Sequence, residues 1–347
     1  MTLSPNSIGI VGTSRKPDER RLPVHPDHLP RLPEAVRRQM VFETGYGDAF
    51  DVVHCAQQRA ITQAAIDRKL TLIAFEDMFV WGPDARIGRH TFYKNNEMAG
   101  YCAVLHALAL KGIDGHYGNQ RKVLIFSFGA VSRGAIYALK AHGFRDVTIC
   151  IQRPDHEVRE EVLDCHYVRL ETGLAGEARM VVVEHDGSRR PLGELIAEAG
   201  ILINGTFQNP ASPIDFVTED ETGCLRPGSL VIDVSCDEGM GFYFAKPTSF
   251  AEPMFKVGTV DYYAVDHTPS YLWESATRSI SAALVVYMET MARGREGWEH
   301  DPTLSRALNI DRGVVRKHGI LAFQGRAAVY PHGPVAFEKP TASLKIA

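Results

Sequence analysis

One stretch, KVLIFSFGAVSRGAIYALKAHGFRDVTICIQR from Lys122 to Arg153, limits what this chain can fold into. Val123 to Phe126 is an unbroken apolar run, the pattern of a strand buried on both faces of a parallel sheet. A turn of mostly small residues follows, Ser127 to Gly134. A helical pattern then runs through Ile136 and Leu139 and stops at Gly143, and Val147 to Ile151 reads as the next strand. The unit is βαβ. Its tight turn lies at a helix N-terminus, where backbone N–H groups and the helix dipole favour a pyrophosphate.

A dinucleotide fingerprint reads Gly-x-Gly-x-x-Gly, and Ser127, Gly129 and Ser132 stand at its glycine positions, with Val131 between the last two. Gly129 keeps the place where backbone approaches phosphate, and Gly134 adds slack just beyond. The same pattern also fits a helix-packing turn in some other α/β sheet. A site for NAD ends its second strand in Asp or Glu, which binds the ribose 2′-hydroxyl. This chain has Gln152-Arg153-Pro154 there, and a guanidinium pairs bidentately with a 2′-phosphate that an acid repels. Arg133, in the turn, lies near the same place. The expected cofactor is NADP rather than NAD; the competing reading of Arg153 is a solvated surface charge.

At 347 residues the chain is long enough for two domains of ordinary size. Hydrophobic content of 45%, charged content of 23% and a net charge of -4 describe a soluble globular protein without the basic excess of a nucleic-acid binder. No signal peptide and no membrane span is evident, so a cytoplasmic protein is expected. The six cysteines form no C-x-x-C pair and read as reduced thiols. His25 and His28 have Pro26 between them and are not read as a metal site; none is expected.

Along the chain, Ser7 to Gly12 is a short apolar strand. The loop after it, Thr13 to Pro23, carries Arg15, Lys16, Arg20 and Arg21, enough cations to hold an anionic substrate or simply to be solvated. His54 ends the brief apolar run after Val52, as a core group or a general acid/base. Asn95 can cap a helix that continues to Gly112, read as the first hinge between domains. Later strands end in Asn204-Gly205-Thr206, in Ser235-Cys236-Asp237 after Leu230 to Val234, and in Asp266-His267 after Tyr262 to Val265. Open α/β sheets place ligands at such C-terminal strand ends. Turn formation is the competing reading of Asp237, since Gly239 follows closely. Glu274 to Met291 is a second long helix.

Val231 to Met240 (VIDVSCDEGM) and Tyr263 to Ser270 (YAVDHTPS) closely resemble carboxyethyl-ornithine synthase, as do Leu72 to Phe79 and Gly88 to Gly100. The wider superfamily holds alanine dehydrogenase, the NAD-binding part of transhydrogenase, and lysine-forming saccharopine dehydrogenase. The likeness runs from Ser14-Arg-Lys to Phe323-Gln-Gly-Arg326. It implies an α/β protein with two Rossmann-like domains joined by two long helices. Residues 1–110 and 275–347 would form a discontinuous substrate domain, and 111–274 a doubly wound dinucleotide-binding domain.

The resemblance further implies NADPH-dependent reductive condensation of a pyruvate-like 2-keto acid with the side-chain amine of ornithine or a similar amino acid. Arg21 would hold the keto-acid carboxylate, with His54 and Asp237 catalytic. Arg15, Glu76, Lys94 and His267 complete the expected substrate contacts. The cofactor would touch Ser127, Gly129, Val131, Ser132, Arg133, Gln152, Arg153, Asn204, Gly205, Thr206, Asp237, Asp266 and His267. A homo-oligomer, dimer or tetramer, is expected, without nucleic-acid or membrane partners. One departure stands out: relatives carry a strand-helix portion with a Pro-Lys pair before the histidine, where this chain passes directly from Phe50 to Asp51. The alternatives are an alanine dehydrogenase-like enzyme using ammonia, a saccharopine-type enzyme, and a noncatalytic NADP-binding sensor.

Overall fold

The computed structural model describes residues 7–10, 17–43, 46, 59–153, 160–208 and 213–335. The chain divides into two compact units. Met1–Ser14, Leu22–Phe92 and Ser281–Ala347 form the first, and Arg15–Arg21 with Tyr93–Ile280 form the second.

The second unit is built on a nine-stranded sheet. Six parallel strands make its centre, in the spatial order His166–Thr172, Val147–Ile151, Val123–Phe126, Ile201–Asn204, Leu230–Asp233, Val260–Tyr263. Numbered by sequence this is 3-2-1-4-5-6, the doubly wound Rossmann order, with the topological switch beside Val123–Phe126. Antiparallel strands Met180–Val183 and Arg189–Pro191 extend one edge, and Met254–Val257 extends the other. Val123–Phe126, Ile201–Asn204 and Leu230–Asp233 are buried along their whole length, because helices cover both faces. The last parallel strand lies earlier than Tyr262 to Val265, at Val260–Tyr263, where hairpin pairing with Met254–Val257 sets its register.

The helices Tyr93–Lys111 and Ala130–Ala141 pack backbone against backbone on one face. A Cβ at Gly134 would stand 1.7 Å from the Glu97 carbonyl oxygen, and one at Gly100 would stand 1.8 Å from that of Val131. Gly134 therefore serves close helix contact rather than slack in the turn. The same contact groups the long helix Tyr93–Lys111 with the second unit. Asn95 lies within the first turn of that helix instead of capping it, and its side-chain oxygen accepts from Arg21.

In the first unit, Ile8–Ile10 pairs in parallel with Met40–Phe42. Leu72–Ile73, Leu308–Asp311 and Val314–Val315 form a small antiparallel sheet over a core containing Ala65, Ile66, Ile310, Ile320 and Leu321. Phe79–Trp81 and Ile87–His90 make a hairpin. Among the described residues no helix is long and apolar enough to cross a membrane, and no acid-histidine-cysteine cluster has metal-binding geometry. Cys102, Cys150 and Cys236 are buried as free thiols; Cys55 lies outside the described residues.

Candidate active site

The turn after Val123–Phe126 is held by its serines. Ser127 adopts φ +81°, a conformation that glycine takes without strain. Its hydroxyl donates to the Gly205 carbonyl at 2.9 Å and lies 3.0 Å from the Ser132 hydroxyl. Ser132 is fully buried and braces the Ser127 hydroxyl, which ties the turn to the neighbouring strand end. Gly129 is the N-cap of Ala130–Ala141, with no side chain capping the helix and, among the described residues, nothing within 4 Å of where a Cβ would sit. Uncapped first-turn N–H groups beside open space suit an anion such as a pyrophosphate. The residues present thus fit the phosphates of a dinucleotide.

Two arginines frame Phe128 in this turn. The Arg133 guanidinium lies over its ring at 4.1 Å and donates to the Glu160 carbonyl at 2.6 Å. Arg153 donates to the Phe128 carbonyl at 3.0 Å. Gln152 and Arg153 are exposed at the end of Val147–Ile151. Two cations, Arg133 and Arg153, therefore stand at the place where a ribose-binding acid stands in NAD sites.

The adjoining strand ends converge on Asp233. Its Oδ1 accepts from the Asn204 side chain at 3.1 Å and from the Cys236 N–H at 2.8 Å, and its Oδ2 accepts from the Tyr262 hydroxyl at 2.9 Å. Asn204 in turn accepts from the Thr206 N–H at 3.1 Å, and Ser235 donates to the Thr206 carbonyl at 2.6 Å. Complete burial pushes the Asp233 carboxyl up to about 7 despite these hydrogen bonds. The network seats the loop carrying Asp237. That carboxylate stands outward on the loop, and crowding by surrounding atoms still raises its pKa.

The next strand end holds a segment from the start of the chain. His267 is 4% exposed, with Nδ1 2.6 Å from an Asp266 carboxylate oxygen and Nε2 2.9 Å from the Pro17 carbonyl. Ser270 donates to Glu19 at 2.5 Å. Glu19 and Arg21 form a buried fork: Arg21 Nε and Nη2 donate to the two Glu19 oxygens at 2.8 and 2.5 Å, and Nη1 donates to Asn95 at 3.2 Å. Arginine and serine donors hold the Glu19 carboxyl below the usual range against its burial. A guanidinium has five N–H donors, so, counting partners among the described residues, Nη1 and Nη2 each retain one for a further acceptor. His267 was expected to touch substrate or cofactor; both of its ring nitrogens are engaged within the protein.

Of the other expected residues, Lys94 is paired with Glu97 at 2.7 Å. In the first unit, Glu76 presents its carbonyl to His90 Nε2 at 3.3 Å. His54 and Arg15, and the Phe50-Asp51 junction, lie outside the described residues. Sequence reading missed Asp233, Tyr262, Glu19 and Ser270. An acid closing an otherwise apolar strand, as in Leu-Val-Ile-Asp, was the available signal for Asp233.

Fold and turn together define a Rossmann-like dinucleotide-binding protein. Residues 105–318, more than half of the chain, match the family "Alanine dehydrogenase/PNT, C-terminal domain". The alanine dehydrogenase of Halomonas elongata is 25% identical over 281 residues, covering 76% of this chain and 69% of the relative. Alanine dehydrogenase 2 of Staphylococcus aureus is 26% identical over 285 residues, covering 78% and 71%. Among solved structures, an L-alanine dehydrogenase superposes with a TM-score of 0.69 at 18% identity, over 91% of this chain and 99% of that one. The transhydrogenase from Sinorhizobium meliloti gives 0.62 at 18% identity, over 88% and 99%. This chain belongs to the alanine dehydrogenase/PNT C-terminal domain family, a family of nicotinamide-nucleotide oxidoreductases.

Proposed function

We propose that this protein is an amino-acid oxidoreductase of the alanine dehydrogenase type, reductively aminating a small 2-keto acid. The observation that carries the reading is the similarity to two alanine dehydrogenases across three quarters or more of the chain. In the amination direction a keto acid, an ammonium ion, a reduced nicotinamide and a proton give the amino acid, the oxidised nicotinamide and water. The cofactor supplies the hydride. Arg21 holds the substrate carboxylate through its remaining Nη donors. Asp237 stabilises the iminium carbon–nitrogen group before reduction, and His54 moves the protons that release water. Arg133 and Arg153 take the 2′-phosphate, making NADP the preferred cofactor.

A second reading has the side-chain amine of ornithine or lysine replace ammonia, and the motifs at Val231 to Met240 and Tyr263 to Ser270 favour it. The test is NADPH and NADH oxidation with pyruvate or 2-oxoglutarate against ammonia, ornithine and lysine, with mass spectrometry of products. Alanine formation from ammonia and pyruvate is the expected result. Product only from a side-chain amine moves the assignment to the condensing enzyme. Tight NADPH binding without oxidation by any pair refutes both and leaves the sensor.

A further inference from the structure

We infer that the loop Asp266–Ser270 of the second unit is a positioning device for Arg21. It anchors the segment Pro17–Arg21 at two points and so fixes the guanidinium; this rests on the proposed role of Arg21 in binding the substrate carboxylate. The first anchor is His267. The Pro17 carbonyl only accepts, so Nε2 carries the proton of that contact, and Asp266 fixes the ring from the other side through Nδ1. The second anchor is Ser270, donating to the same Glu19 oxygen that accepts from Arg21 Nε.

Glu19 is the hub. Its Oε1 also accepts the backbone N–H groups of Arg20 and Arg21 at 3.1 and 3.0 Å, so one carboxylate sets both the path of the chain and the plane of the guanidinium. His267, Ser270, Glu19 and Arg21 are each less than a tenth exposed, and Asp18, between the anchors, sits at φ +64°. Aspartate tolerates this bend better than most residues, and the contacts on either side of it hold the segment in place. Asn95, on the helix Tyr93–Lys111, closes the far side by accepting from Nη1. The arrangement assigns Asp266, His267 and Ser270 to orienting the substrate-binding arginine, not to contact with substrate.

The test compares Ser270→Ala, His267→Leu, His267→Gln and Arg21→Ala in the full chain. Readouts are pyruvate KM, kcat, the NADPH dissociation constant and hydrogen exchange of the Arg20 and Arg21 amides. Ser270→Ala and His267→Leu are expected to raise pyruvate KM about tenfold, the scale of one lost hydrogen bond to a charged group. Exchange at Arg20 and Arg21 should quicken while NADPH affinity holds. His267→Gln, whose amide can still donate to Pro17, should recover most of the loss. Wild-type exchange and KM in both Ser270→Ala and His267→Leu, or a parallel loss of NADPH affinity, overturns the inference. Quickened exchange in Ser270→Ala and His267→Leu, together with an unchanged pyruvate KM in Arg21→Ala, supports the anchoring and refutes the substrate role of Arg21 instead.

Discussion

An arginine where dinucleotide sites usually carry an acid alters the charge met by the adenosine ribose. Arg153 spends one donor on the Phe128 carbonyl and Arg133 covers the Phe128 ring, so both guanidinia are held at the phosphate turn. Hydrogen bonds to charged groups contribute about 1.5–3 kcal/mol, so Arg153→Ala should weaken NADP binding about 10- to 100-fold. NAD binding, lacking the 2′-phosphate, should change little; titration with each nucleotide checks this, and equal losses would remove the assignment. Asp233 makes a second residue-scale prediction. Its pKa is raised from 3.8 to about 7 in the fold, so between these limits the folded state keeps a proton that the unfolded chain has lost. Stability from this group is fully present below the lower limit and is lost as pH rises through about 7. The thermal midpoint of wild type relative to Asp233→Asn should therefore fall across that window; a constant difference would rule the buried carboxyl out as its source. Burial of this kind was poorly legible in sequence, because Asp233 and its partner Tyr262 are 29 residues apart and the motif Val231 to Met240 drew attention to Asp237 instead.

Helix contact falls on Gly134, inside Ala130–Ala141, whereas the proposed anion site falls on Gly129, the N-cap of that helix. Gly134 faces the Glu97 carbonyl at a distance no side chain tolerates, whereas Gly129 opens on free space at an ordinary φ of -101°. Gly134→Ala must push two helices apart, and overpacking against backbone should cost about 3 kcal/mol or more in chemical denaturation. Gly129→Ala should leave stability within about 1 kcal/mol of wild type, since its backbone is compatible with alanine. Its methyl group enters the space expected for phosphate, so nucleotide affinity should drop sharply in the same protein. The reverse pattern, a stable Gly134→Ala and an unfolded Gly129→Ala, would exchange the two roles. The βαβ unit was readable because its apolar runs are local in sequence and buried on both faces. The glycine roles were not, since Gly134 is explained by a helix some thirty residues earlier.

At the scale of the whole chain, legibility followed the same physical rule. Parallel strands buried on both faces announce themselves as apolar runs, and Val123–Phe126, Ile201–Asn204 and Leu230–Asp233 lie where those runs predicted. Contacts that bring distant segments together, such as Ser270 with Glu19 across 251 positions, leave no periodicity to read. The division into units follows from such contacts, which is why the place of Pro17–Arg21 in the second unit was invisible beforehand. A nucleotide bound at the turn after Val123–Phe126 stabilises only states in which that turn is folded. At a hundredfold excess over the dissociation constant the gain is about 2.7 kcal/mol, slowing exchange of amides that open only with the sheet roughly 100-fold. Saturating NADPH should therefore protect the amides of Val123–Phe126, Ile201–Asn204 and Leu230–Asp233 together, because one ladder joins them. The hairpin Phe79–Trp81 and Ile87–His90 belongs to the other unit and holds none of the expected nucleotide contacts. Exchange measured by mass spectrometry with and without NADPH separates the cases. Protection centred on that hairpin would move the nucleotide site out of the doubly wound sheet and undo the cofactor assignment.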